Sequence, residues 1–164
     1  MLFRNHLLKI LPALFFSVPI GIFCAQKSTG FFLYLVIPFL FGWLIYSAFI
    51  LWRKPSERIS QLLKICVWCF VLSGVFIAHG YYRSESREEA DKVAAAVSAY
   101  HRTNGRFPAR LIDAGINLPN RGGQWRIIYI FSAKEPSLVY PSTFDPFDRY
   151  FYSFAKSTWE FHPD

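Results

Sequence analysis

Two cysteines three residues apart, Cys66 and Cys69, have the spacing of a reactive thiol pair. In a soluble redox protein, one thiolate of such a pair attacks and the other resolves the intermediate. Here both lie in an uncharged run with Val67, Trp68 and Phe70, and apolar surroundings disfavour a thiolate. Two thiols at helical spacing also need further ligands to hold a metal, and the sequence offers no second cluster. We therefore predict that the pair is structural.

His79, near the end of the same run, is a second candidate. An ionisable group inside a membrane is a functional candidate by default, for example as a proton relay. Tyr81, Tyr82 and Arg83 follow closely, and these residue types are typical of a membrane–water interface. The sequence therefore favours an interfacial position for His79.

Two carboxylates, Asp145 and Asp148, are close enough in sequence to share a calcium ion. Asp145 directly precedes Pro146, however, and this order is typical of a turn. We predict that Asp145 shapes that turn and that Asp148 pairs with a cation such as Arg149 or Arg126.

No serine, cysteine or histidine in the sequence is accompanied by recognisable catalytic partners. Gly122 and Gly123 with Arg121 are too few for a phosphate-binding loop, and His101 and His162 are expected at the surface. The sequence thus predicts a protein that is not an enzyme and that has neither a cofactor nor a metal.

The aromatic segment from Phe144 to Phe154 is the remaining candidate site. A strand there would be apolar on both faces, because its aromatic residues alternate with Phe151. One face would pack on a helix and the other would meet a protein partner, with Tyr150 and Tyr152 as an outward-facing pair. The predicted partner-binding residues are Phe144, Phe147, Tyr150, Tyr152 and Phe154.

Three long apolar stretches in the first half of the chain must position the residues considered above. Phe31 to Trp52 is 22 residues without a charge, Ile65 to Tyr82 is 18, and Leu7 to Ala25 is 19 interrupted by Lys9. About 20 apolar residues span a bilayer core. The sequence therefore predicts three transmembrane helices in residues 1–82, followed by a separate domain.

The first stretch also resembles an export signal, because Arg4 and Lys9 are basic and precede most of its apolar residues. Its cleavage site is poor, since Phe23 and Ala25 would occupy the two positions that require small residues. Phe23 before Cys24 is equally unsuited to a lipoprotein signal. We predict that this helix is retained.

Basic residues predict the orientation of the helices. Lys27 alone lies in the first connection, whereas six basic residues precede the first helix or flank the second connection. By the positive-inside rule, the N-terminus and the loop 53–64 are cytoplasmic, and the C-terminal domain lies across the membrane. In a bacterium, this means a multi-pass inner-membrane protein with a periplasmic domain. The six residues are Arg4, Lys9, Arg53, Lys54, Arg58 and Lys64.

The net charge of +7 is concentrated in the predicted anchor. Residues 1–82 carry +6, with Glu57 as their single acid, and residues 83–164 carry +1. The domain therefore lacks the basic surface expected for binding nucleic acid. It also contains no cysteine, so about 80 residues must be held together by an apolar core rather than by disulfides.

Helix and strand signals in residues 83–164 predict an α+β domain, with one long helix on a small antiparallel sheet. Ser86 and Glu89 form a capping box, Val93, Val97 and Tyr100 mark a buried helix face, and Asn104 with Gly105 ends the helix. The helix is expected to join the third membrane helix. The predicted strands are Trp125 to Phe131, Ser137 to Phe144, Tyr150 to Phe154 and Thr158 to Phe161.

Two motifs stand out in this domain. The first consists of Tyr100, Asn104, Gly105, Arg106, Phe107, Pro108 and Leu111, and the second of Asp145, Pro146, Phe147 and Tyr150 to Tyr152. They resemble motifs of type II secretion pseudopilins and type IV pilin-like proteins. The resemblance covers about residues 83–155 and implies a pilin-like domain after a membrane helix whose N-terminus is cytoplasmic. In these families one membrane helix follows a glycine cleavage site, with a glutamate soon after; here Gly30 echoes that site without the glutamate.

The function that these features favour is binding of another protein by a domain on a membrane anchor. The resemblance implies an accessory component of a secretion or pilus system. The alternative function is that of an immunity protein, which neutralises a periplasm- or membrane-acting toxin and to which the same features are suited. A small transporter or channel subunit is disfavoured, because the three spans contain no acid and only His79 as a candidate relay.

Overall fold

The computed structural model describes residues 2–117, 127–132 and 135–163, with side chains from Leu8 onward. The chain divides into two compact units, Met1–Gly80 and Tyr81–Asp164, which we call the helical unit and the C-terminal domain. Together the described residues are rich in helix and contain one four-stranded antiparallel sheet.

Three helices account for most of the helical unit. They are α1 (Leu2–Cys24), α2 (Leu33–Arg53) and the first part of α3 (Arg58–Asn104), with short 3-10 turns at Gly30–Phe32 and Pro55–Glu57. The ranges Gly30–Arg53 and Pro55–Asn104 are long and apolar enough to cross a membrane, whereas the apolar range Leu8–Cys24 of α1 is shorter. The structure therefore provides two of the three predicted spans by length and composition.

Helix α3 continues for 47 residues, from the helical unit into the C-terminal domain. Ser86 and Glu89 lie inside this continuous helix, so the helix start predicted at Ser86 is wrong, whereas the expected continuity with the preceding apolar helix is confirmed. The predicted end is confirmed: Gly105 has a left-handed φ of 69°, and its N–H donates to the carbonyl of His101 at 2.9 Å. Only glycine adopts such a conformation without strain, so the helix ends here.

Four strands form a meander in the order β1-β2-β3-β4, with every neighbour antiparallel. The second strand is shorter than predicted, because the Ser142 N–H donates to the carbonyl of Asp148 at 2.8 Å and closes a loop. Trp125 and Arg126 of the first predicted strand lie outside the described residues. The strands are β1 (Ile128–Ile130), β2 (Ser137–Pro141), β3 (Arg149–Ser153) and β4 (Thr158–His162).

The core of the C-terminal domain lies between α3 and one face of the sheet. Val93 and Val97 are buried in it, as the helical spacing predicts, whereas Tyr100 is half-buried. Alternate residues of the strands face the helix, so this sheet face is almost entirely aromatic or aliphatic. The buried cluster consists of Ala90, Val93, Ala94, Val97, Ile127, Leu138 and Tyr140.

Candidate functional site

Three of the five predicted partner-binding residues belong to the core of the C-terminal domain. Tyr150, Tyr152 and Phe154 are half-buried and pack against the buried cluster between α3 and the sheet. The prediction that Tyr150 and Tyr152 face outward is therefore wrong. Strand alternation correctly put them on one face, but it could not show which face meets the helix.

The other two predicted residues lie in the loop between β2 and β3. Phe144 is half-buried, and Phe147 is 59% exposed. The Phe147 N–H donates to Asp145 Oδ1 at 3.0 Å, which confirms that Asp145 shapes this turn. Phe147 is thus an exposed aromatic side chain on a loop held by hydrogen bonds, while the role of both phenylalanines in partner binding stays a prediction.

The sheet face turned away from α3 carries a small group of apolar residues among polar ones such as Ser137, Arg149 and Glu160. The strand register places Ile128 opposite Val139, Val139 opposite Phe151, and Phe151 opposite Glu160. Val139 is buried and Phe151 is half-buried, whereas Ile128 and its neighbour on the same face, Ile130, are exposed. We call Ile128, Ile130, Val139 and Phe151 the outer sheet face.

Sequence reasoning did not single out the isoleucines of this face. Ile128 and Ile130 fell within a predicted strand, and β1 is a three-residue strand at the edge of the sheet, which leaves both side chains exposed. Their alternation with Tyr129 was the available signal. Tyr129 lies on the core side, and its hydroxyl donates to the carbonyl of Pro108 at 2.8 Å.

A polar cluster joins α3 to the last strand at the edge of the core. Trp159 Nε1 donates to Asp91 Oδ1 at 2.7 Å, and Arg87 Nε lies 3.2 Å from Asp91 Oδ2. The Arg87 guanidinium also lies 5.3 Å from the centre of the Trp159 ring, where a cation–π attraction operates. Burial raises the pKa of Tyr140, although a hydrogen bond with Arg87 favours its ionised form. These contacts fix the sheet on the helix.

A groove of about 560 Å³ lies beside the end of α3 in the same domain. His101 lines it and stacks on Phe107, with 4.0 Å between ring centres. Glu135 also lines it and accepts hydrogen bonds from Ser153 Oγ and the Ala155 N–H. Both His101 and Glu135 are therefore engaged in local structure.

The candidate residues of the helical unit, two cysteines and one histidine, differ in their burial and in their contacts. Cys66 and Cys69 are exposed on α3 and form no disulfide, and Cys24 is buried. His79 is only 5% exposed, and its Nε2 lies 2.8 Å from the carbonyl oxygen of Cys24. Among the described residues, no three His, Cys, Asp or Glu side chains are grouped closely enough to hold a metal ion.

Burial in the helical unit is the reverse of that in a water-soluble bundle. Phe39 and Phe70 are 81% and 82% exposed, whereas small and polar side chains are buried. Gln61 Nε2 donates to Ser47 Oγ at 2.6 Å, which links α3 to α2. The buried polar residues of this unit are Ser17, Ser28, Ser47, Ser60, Gln61 and His79.

Comparison of the chain with protein-family models, with curated proteins and with solved structures finds no match in any of the three. The resemblance to pseudopilins and pilin-like proteins stays a prediction.

Proposed function

We propose that this chain is a three-span membrane anchor whose pilin-like α+β domain lies across the membrane from the N-terminus and binds another protein. It acts without catalysis, as an accessory component of a secretion or pilus system in the bacterial inner membrane. The observation that carries the anchor is the reversed burial of the helical unit. Large apolar patches on a soluble protein are rare, whereas phenylalanine outside and serine inside suit helices in lipid.

Contacts along α1 support its retention as the third span. Near one end, Lys9 Nζ lies 2.7 Å from Glu57 Oε1, beside the start of α3. Further along, Gly21 approaches α3 so closely that a Cβ atom there would overlap Val71. At the other end, His79 bonds the carbonyl of Cys24. A helix with partners along its length is part of the bundle, unlike a signal segment that is removed.

Protein binding by the C-terminal domain is supported by its exposed apolar side chains. Phe147, on the β2–β3 loop, and Ile128 and Ile130 of the outer sheet face remain exposed after the domain has formed its own core. Edge strand β1 also has an unpaired side within the described sheet, a feature that partners use for strand addition. Aromatic and aliphatic anchors of this kind carry most of the binding energy at interfaces.

The test is site-specific photocrosslinking in native cells. A photoreactive amino acid at Phe147 or Ile130 should give one defined protein adduct, whereas the same residue at Ala99, exposed on α3, should give none. Phe147→Ala and Ile130→Ala should each reduce adduct formation at the other position by about tenfold, as expected for loss of about 1.4 kcal/mol. Adducts that are equal at all three positions would contradict the proposal.

A further inference from the structure

One groove in the helical unit combines an apolar floor with a single cation. It has a volume of about 540 Å³ and is lined by all three helices. Phe16 comes from α1, Val36, Leu40 and Trp43 from α2, and Lys64 with Trp68 from α3. Lys64 is half-buried, and it is the only charged residue in the described lining.

The Lys64 ammonium has no hydrogen-bond or ion-pair partner within the residues that the structure describes. Glu57, the only acid in residues 1–82, is bound to Lys9 at 2.7 Å and attracts Lys64 without a direct contact. A partly buried cation without a directly bound counter-ion is costly, so this site favours an anion from outside the chain.

The surrounding cations have other contacts and leave a positive excess. Arg53 lies over the rings of Phe49 and Trp52, at 5.4 and 5.7 Å, and Arg58 Nε donates to the carbonyl of Leu51 at 2.8 Å. None of these contacts neutralises charge. The headgroups of anionic phospholipids carry the opposite charge and are attracted to basic residues near a membrane surface.

The depth of the groove matches a lipid that enters from the same end as these cations. Lys64 is six residues from the start of α3, or about 9 Å along the axis, and its long stem can extend back to the headgroup level. From Trp43 to Leu35 the groove follows α2 for about 12 Å, all of it apolar. An acyl chain fits this shape, and a soluble anion would leave it uncovered.

We propose that this groove binds one anionic phospholipid, with its phosphate at Lys64 and one acyl chain along Phe16, Val36 and Leu40. The proposal rests on the membrane-spanning part of the proposed function. A second groove, of about 690 Å³ between α1 and α3, is lined by apolar residues and Cys66 without any charged side chain. That groove is expected to take lipid chains without preference for a headgroup.

The test uses the purified full chain in phosphatidylcholine vesicles that contain brominated phosphatidylglycerol or, at equal fraction, brominated phosphatidylcholine. Bromine on the acyl chains quenches nearby tryptophans, and Trp43 and Trp68 report from the groove. Brominated phosphatidylglycerol should quench the tryptophan fluorescence at least twofold more than brominated phosphatidylcholine does. Lys64→Gln should abolish this difference between the two lipids. Lys64→Arg should keep the difference because it retains the charge. Lys54→Gln, which removes an equal charge outside the groove, should also keep it. Replacing both groove tryptophans, as Trp43→Phe and Trp68→Phe in one variant, should also abolish the difference in quenching between the two lipids.

Equal quenching by both lipids, or an equal loss in Lys54→Gln, would overturn the lipid site. Competition by inorganic phosphate in the buffer would mean that the site binds a free anion, which also overturns it. Helix content by circular dichroism shows whether each variant is folded. If Lys64→Gln does not fold, Lys64→Arg still provides a comparison with the wild type. A chain that alkaline carbonate extracts from the vesicles would instead contradict the proposed membrane anchor itself.

Discussion

The imidazole of His79 and the main-chain carbonyl of Cys24 are joined by a hydrogen bond of 2.8 Å, although 55 residues separate them. The last carbonyls of a helix have no partner within that helix. A side chain of α3 thus satisfies the end of α1, at a position where both residues are buried. This contact makes α1 part of the helical unit rather than an appended segment.

Close approach of α1 to α3 predicts the effect of a bulky residue at Gly21. A Cβ atom there would overlap Val71 Cγ1, so Gly21→Leu should push the helices apart and destabilise the helical unit by about 1–3 kcal/mol. Gly42→Leu on α2 is the matched control, because nothing lies within 4 Å of its new Cβ. Thermal unfolding in detergent measures both variants, and equal transition temperatures would argue against the packing of α1 on α3.

The bond between Trp159 and Asp91 should contribute to the stability of the C-terminal domain. Asp91→Ala removes the acceptor of Trp159 Nε1 and the partner of Arg87, and we expect a loss of about 1 kcal/mol. Glu88→Ala is the control on the same helix, because the Glu88–Lys92 pair is largely exposed and its loss should leave the stability almost unchanged. Urea unfolding followed by tryptophan fluorescence compares them, and two equal midpoints would count against this role of Asp91.

The buried face of α3 predicts a larger effect at Val97. Val97 is fully buried in the core cluster, so Val97→Asp should place an unpaired charge there, at a cost of about 3–5 kcal/mol. Ala95→Asp, two residues earlier on the exposed side, should be nearly neutral. Loss of the near-ultraviolet circular dichroism signal in Val97→Asp alone is the expected result. Retention of the signal in both variants would show that this face is not the core.

Tyrosine burial predicts how the domain responds to alkaline pH. Burial raises the pKa of Tyr129 and of Tyr140 above the ordinary value of 10.0. Each phenol therefore holds its proton more tightly in the folded state than in the unfolded state. The resulting stability is fully present below pH 10 and is lost as the pH rises through the folded-state pKa. Absorbance titration should show late-ionising phenols, one fewer in Tyr140→Phe. Unchanged titration in that variant would contradict the burial of Tyr140.

Much of the secondary structure of the C-terminal domain was predictable from the sequence, because the local sequence signals agree with the tertiary structure. The left-handed Gly105, the turn at Asp145 and the spacing of Val93 and Val97 each depend on a few adjacent residues. The false helix start at Ser86 shows the limit of such signals. A capping box stabilises a helix only where the helix begins, and the preceding apolar run kept α3 continuous through Ser86.

The candidate site was harder to predict because it depends on which sheet face the helix covers. Alternation in β3 put Tyr150 and Tyr152 on one side and Phe151 on the other, so each side has aromatic residues. Only the packing of α3 distinguishes the core face from the outer sheet face. The bond of His79 to Cys24 was likewise hidden, because it joins residues far apart in sequence through the packing of two helices.

Phosphatase fusions test the central claim, the three-span topology with the domain across the membrane, most directly. A periplasm-dependent phosphatase joined after Asp164 should be active, and one joined after Arg58 should be inactive, because the six-to-one distribution of flanking basic residues predicts that these sites lie on opposite sides. The reverse pattern of activity, or a mature chain that begins near Gln26, would contradict the account.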